Sequence, residues 1–122
     1  MLDEFVWGKV GRISPEAPVP VVEVTKESFY AGGAANVARN LREFVDRVAV
    51  IGRLGKDRSG QQLQELLARQ KIDTSNAIQD ESFRTILKTR IIARNQQVVR
   101  VDREQFGPLA RLSQRPCRSL QK

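Results

Sequence analysis

Val48-Ala49-Val50-Ile51-Gly52 is an unbroken apolar run, and it limits the fold more than any other feature of the chain. A half-buried strand alternates apolar and polar residues, whereas a continuous run predicts a strand covered on both faces, as in a parallel sheet between helices. The flanking sequence agrees. Ala34, Val37, Ala38, Leu41, Phe44 and Val45 recur at a spacing of three and four, which predicts one apolar helix stripe starting at Gly32-Gly33. After the run, Asp57 or Ser59 can cap a second helix that buries Leu63, Leu66 and Leu67. A further short strand is expected near Asn76–Ile78. Helix, strand, helix and strand in that order define an α/β class.

The two ends of this body have a different character. Phe5 to Val10 is strand-like, with Phe5, Trp7 and Lys9 on one face and Val6 and Val10 on the other. Pro15, Pro18 and Pro20 keep the next stretch out of a helix and make it an extended connection. Val21 to Thr25 is a β-branched strand. These pieces predict a small antiparallel sheet ahead of the main body. Thr85–Arg94 and Val98–Asp102 alternate on either side of Asn95-Gln96-Gln97, which predicts a hairpin with its turn at those three residues. Ile86, Lys88, Arg90, Ile92 and Arg94 share one face of its first strand. Leu87, Thr89, Ile91 and Ala93 share the other. From Gln105-Phe106-Gly107-Pro108 onward there is no clear period, so 105–122 reads as a basic tail, disordered or translated out of frame.

Composition excludes several functions. A chain of 122 residues holds one core. With no histidine and one cysteine, Cys117, it offers no His-based triad, no histidine-ligated metal and no thiolate cage, so no metal site is expected. No apolar run approaches the ~20 residues that cross a membrane. The start, Met1-Leu2-Asp3-Glu4, is acidic where a secretion signal is basic, and a cytoplasmic location is expected. The net charge of +7 could indicate nucleic acid, but Arg111, Arg115, Arg118 and Lys122 account for +4 of it within a tail that has no acids. A near-neutral body with few aromatic residues is a poor nucleic-acid face, so neither nucleic acid nor membrane is expected as a partner.

Gly32-Gly33-Ala34-Ala35-Asn36-Val37-Ala38-Arg39-Asn40-Leu41 resembles the first signature of the ribokinase-like (phosphofructokinase-B) carbohydrate kinases. Val50-Ile51-Gly52-Arg53-Leu54-Gly55-Lys56-Asp57 with Gly60, and Ile72-Asp73-Thr74, fit the same family. The segments Arg12–Val22 and Lys88–Gln97 are more specific and resemble the heptose 7-phosphate kinase branch, which supplies ADP-heptose for the lipopolysaccharide core. The resemblance implies a partial ribokinase-like fold over 1–104, three-layer α/β with a small antiparallel β lid. The lid strands would occupy about 5–25, the α/β part about 30–80 and the hairpin about 85–102. In that family a strand ending in Gly-Asp precedes the Met-Leu-Asp found here. A later Gly-Ala-Gly-Asp motif supplies the catalytic aspartate, and this chain has no counterpart to it. The expectation is therefore a sugar-binding part without a catalytic residue. ATP and Mg belong to the parent reaction at the anomeric hydroxyl, and neither should bind this chain well.

Gly-Gly at a helix start lets backbone approach a ligand closely and presents free N–H groups to its oxygens. On its own it is more often only a turn. The resemblance makes Gly32, Gly33 and Asn36 sugar-binding residues and makes Asp3 the carboxylate that grips a hydroxyl pair; without it Asp3 would be a frayed, exposed residue and Asn36 a helix-surface one. Lys88 and Arg90, on one strand face, suit a sugar phosphate or simply a solvated hairpin face. Arg12 carries the same two readings, and Trp7 either lines the sugar pocket or packs the lid, of which packing is preferred. In the family, lid sheets commonly meet across a dimer, so a homodimer through the strands at 5–10 and 19–25 is expected. The competing reading is a non-catalytic sugar-phosphate-binding or dimerisation module.

Overall fold

Two long strands open the chain, β1 (Leu2–Ile13) and β2 (Pro20–Ala31). They form an antiparallel hairpin from Leu2↔Ala31 out to Ile13↔Pro20, with register shifts between Trp7 and Gly8 and between Val10 and Arg12. The computed structural model describes residues 1–104 apart from Ala17, so the readings made for the tail at 105–122 lie outside the described residues. Helix α1 (Ala34–Leu41), strand β3 (Gly52–Gly55), helix α2 (Arg58–Arg69) and strand β4 (Ala77–Asp80) follow, and β5 (Leu87–Ala93) and β6 (Gln96–Arg103) complete the order. This is the α/β class that the periodicities indicate.

The predicted hairpin at 85–102 forms, but it is not separate from the first two strands. β5 runs parallel to β1, from Leu2↔Leu87 to Gly8↔Ala93, giving one mixed sheet in the order β2-β1-β5-β6. The sheet is therefore larger than the two-stranded one read from the sequence, and β1 lies inside it with partners on both sides. Only β2 and β6 are edges. The turn between β5 and β6 consists of Arg94 and Asn95, both at positive φ, instead of Asn95-Gln96-Gln97. A two-residue turn with φ > 0 at both central positions matches the right-handed twist of its strands.

β3 and β4 form a separate parallel pair, Gly52↔Ala77 to Gly55↔Asp80, prolonged by an isolated bridge between Ala49 and Asp73. The core lies between this pair, the helices and the Met1 end of the large sheet. It gathers Leu2, Ala31, Ala35, Ala38, Leu54, Leu63, Leu67 and Ile72. Leu2 is fully buried. α2 meets expectation: Asp57 caps it through Gly60 N–H, and Leu63 and Leu67 face inward.

Two further sequence readings require correction. The run at Val48–Gly52 is not a strand buried on both faces, since regular pairing begins only at Gly52 and Ile51 is 69% exposed. The stripe on α1 also points the wrong way. Ala35 and Ala38 are buried, whereas Val37 and Leu41 are exposed and Phe44, in the turn after the helix, is 85% exposed. Apolar spacing marks a face that can be buried. The small Ala35–Ala38 edge wins here because it lets the helix backbone close against β2.

Candidate functional site

Alternation along a strand places every second side chain on one face. On β1 these are Asp3, Phe5 and Trp7. Register adds Tyr30, Ser28 and Lys26 from β2, and Lys88, Arg90 and Ile92 from β5. The opposite face carries Leu2 into the core, so the Asp3 face is the one turned away from it.

Asp3 is the centre of this face. Its Oδ1 accepts from Arg90 Nη1 at 2.6 Å, and both side chains are largely but not fully covered. Gly32 closes the other side. Its N–H donates to the Met1 carbonyl at 3.0 Å, and a Cβ there would run into the Asp3 carboxylate and come within 2.7 Å of the Met1 side chain. Gly33, at φ 57°, turns the chain into α1 without a side-chain cap, and Asn36 stands half-buried on the first turn, its N–H bonded to the Gly33 carbonyl. Burial pushes the Met1 α-amino group below its ordinary pKa, against the upward pull of the Asp3 carboxylate. Far from being frayed, Asp3 sits in a paired strand.

The other sequence candidates are placed differently. Lys88 lies across from Asp3 in the β1–β5 register, but its ammonium binds Glu104 at 2.7 Å and Asp102 at 3.6 Å. Its hydrogen bond to the Glu104 carboxylate raises its pKa above the usual lysine value. Arg12 is exposed beyond the second register shift, nine residues along β1 from Asp3, which is roughly 30 Å for an extended strand. The structure thus brings Asp3, Gly32, Gly33 and Arg90 together, with Asn36 on the adjoining turn. Lys88 is near but engaged, and Arg12 is remote.

Sequence reasoning preferred a packing role for Trp7 and missed the aromatic cluster it belongs to. Phe5 stacks on Trp7 with centroids 5.7 Å apart and meets Tyr30 edge-on at 5.5 Å. Arg90 lies over the Phe5 ring at 5.3 Å and Lys26 over Trp7 at 5.1 Å. Such pairs are favoured because the negative ring face attracts a cation. Alternation alone could have joined Phe5 and Trp7 to Asp3. Tyr30 needed the register.

A second carboxylate has quite different surroundings. Asp57 accepts from Gly60 N–H at 2.7 Å and Thr85 N–H at 2.8 Å, while the Thr85 hydroxyl accepts from Gly55 N–H at 2.9 Å. Partial burial would raise this acid, but the two backbone donors, the Thr85 hydroxyl and the Arg84 charge outweigh it and hold the pKa below the ordinary value. Thr85 is 2% exposed, and a Cβ at Gly60 would strike the Gly55 carbonyl oxygen. This knot ties β3, α2 and the start of β5 together. Among the described residues no three acidic, cysteine or histidine side chains group closely enough to hold a metal ion by themselves.

The model of the pfkB family of carbohydrate kinases matches residues 5–115. The chain belongs to this family. A curated relative from Trichlorobacter lovleyi, named Bifunctional protein HldE, is 49% identical over 110 residues, which are 90% of this chain and 22% of the relative. The chain therefore spans about a fifth of that relative's length, and this likeness agrees with the heptose branch inferred from Arg12–Val22 and Lys88–Gln97. A carbohydrate kinase from Agrobacterium tumefaciens superimposes with a TM-score of 0.63 at 20% identity, over 84% of this chain and 33% of that one. A ribokinase from Cryptococcus neoformans in complex with ADP gives 0.57 at 21% identity, over 84% and 31%. At such identities the structures speak for the fold. Among the described residues no helix is long and apolar enough to cross a membrane.

Proposed function

We propose that this chain is the acceptor-binding part of an ATP-dependent carbohydrate kinase, and that its sugar is a heptose 7-phosphate that the whole enzyme phosphorylates at the anomeric hydroxyl. The observation that carries the reading is the Asp3 carboxylate held against the Gly32 backbone at the entry to α1, with Arg90 at 2.6 Å. A carboxylate can accept from two sugar hydroxyls. The backbone at Gly33 is open to an incoming oxygen, because an added Cβ there would meet only Met1 carbons, at 3.7 and 3.9 Å. Asn36 can both donate and accept. The aromatic floor offers apolar surface to the C–H face of a sugar.

In the parent reaction ATP with magnesium supplies the phosphoryl group. This chain contributes only the position of the acceptor, and alone it transfers no phosphate. In-line transfer needs a base and a placed γ-phosphate. Asp57 is occupied by backbone donors, Asp73 accepts from Ser75 N–H, and Asp102 faces Lys88 and Arg100. Synthesis of the sugar for ADP-heptose would place the protein in the cytoplasm.

Calorimetric titration with heptose 7-phosphate tests the site. Asn36→Ala should weaken binding by ~1 kcal/mol, one hydrogen bond; an unchanged heat removes Asn36 from the site. Coupled ADP release from Mg-ATP and the same sugar should stay at the enzyme-free rate, and turnover that survives repurification would refute inactivity. A second reading, a dimerisation module, is favoured by β2, an edge strand with Val24 exposed. Exposed edges pair readily. A monomeric mass by sedimentation at tens of micromolar would count against it.

A further inference from the structure

The two groups expected to hold opposite kinds of substrate atom are bound to each other. Asp3 should accept from sugar hydroxyls and Arg90 should donate to the phosphate, yet Arg90 Nη1 donates to Asp3 Oδ1 at 2.6 Å, so one oxygen and one nitrogen of the pair are engaged with each other. An Asp3 oxygen committed to a guanidinium is a poorer acceptor for a hydroxyl. We propose that the Asp3–Arg90 pair is a latch that selects phosphorylated sugars: the phosphate draws Arg90 away, and the freed carboxylate then takes the hydroxyls. This deepens the reading above and rests on it.

Three observations favour Arg90 over Lys88 as the moving cation. Lys88 has two carboxylates, Glu104 at 2.7 Å and Asp102 at 3.6 Å, so a phosphate would have to displace two anions. Arg90 has one ion pair among the described residues, and its planar fork matches phosphate oxygens as a single ammonium cannot. The Phe5 ring beneath it, at 5.3 Å, gives the guanidinium a surface to slide across without losing its cation–π contact. A neutral sugar has nothing to offer Arg90 and must compete with it for Asp3. The latch therefore raises affinity for the anion and lowers it for the neutral analogue, which is discrimination by a built-in competitor.

The test compares heptose 7-phosphate, the same heptose without phosphate, and inorganic phosphate by titration, while the Arg90 side-chain nitrogens are followed by NMR. Wild type should bind the phosphorylated sugar at least about tenfold more tightly than the neutral one, the worth of a charge-assisted bond. Arg90→Gln should lose that preference and bind the neutral heptose more tightly than wild type does, because Asp3 is then free. Arg90→Lys, which keeps the charge and the fold but not the fork, should fall between. A simple phosphate contact predicts no gain for the neutral sugar, so Arg90→Gln and Arg90→Lys variants that leave neutral binding unchanged or weaker overturn the latch. If the Arg90 signals do not move on adding the phosphorylated sugar, the latch is also wrong, even where the sugar binds. If neither sugar binds while inorganic phosphate still shifts those signals, the sugar-binding reading fails and the anion-driven release of Asp3 stands.

Discussion

Asp57 and Asp3 are both half-buried carboxylates close to glycines, and they differ in what satisfies them. Asp57 is held by two backbone N–H groups that cannot leave without unwinding α2 or detaching β5. Asp3 is held by the end of a long arginine side chain, which can rotate away without disturbing β5. Backbone partners make a carboxylate structural. A side-chain partner leaves it exchangeable, and exchange is what a ligand needs. Both acids fall within family motifs, so membership alone does not separate scaffold from site.

The comparison can be broken by mutation. The largest effect should come from Asp57→Ala, which removes a helix cap and strands the Thr85 N–H, for about 3 kcal/mol together. Urea unfolding would measure it, and a loss under ~1 kcal/mol would show that the knot is dispensable. Next is the response to acid. The folded-state pKa of Asp57 is depressed, so its contribution is complete above the unfolded value near ~3.9 and disappears as pH falls toward the folded value. Thermal midpoints should therefore drop more steeply below about pH 4 in wild type than in Asp57→Asn, while parallel curves would assign the acid limb to other carboxylates. Asp3→Asn should cost less, about 1 kcal/mol or below, because its partner can turn to water, yet it should abolish sugar binding. A cost equal to that of Asp57→Ala would make Asp3 scaffold as well. Smallest of all, Phe44→Ser should stay within ~0.5 kcal/mol, since that ring is almost wholly exposed. A larger loss would mean that the apolar side of α1 is covered in solution.

Much of the fold was legible where neighbours in sequence are neighbours in space. The three-residue step from Asp57 to Gly60 is a capping distance, and it is the cap observed. The alternation from Thr85 to Asp102 marked the β5–β6 hairpin, although the turn fell on Arg94 and Asn95 because strand twist, not polarity, selects turn residues. Gly32-Gly33 marked the start of α1. The apolar run at Val48–Gly52 and the stripe from Ala34 to Val45 misled for one reason. They report that a surface is fit for burial, and burial also requires something to lie against it.

By itself the sequence determined most of the local elements, because bond geometry fixes what residues three or four apart can do, while the family and the candidates Asp3, Gly32, Gly33 and Asn36 came from motif resemblance. Only the tertiary structure decided that Arg90, 87 positions away, is the partner of Asp3, that Lys88 is held by Glu104 and Asp102, and that Tyr30 completes an aromatic floor under Phe5 and Trp7. Those choices depend on β1 and β5 pairing in parallel at one register. That register is set by which side chains the core at Leu2 and Leu87 can bury, a condition that no local spacing contains.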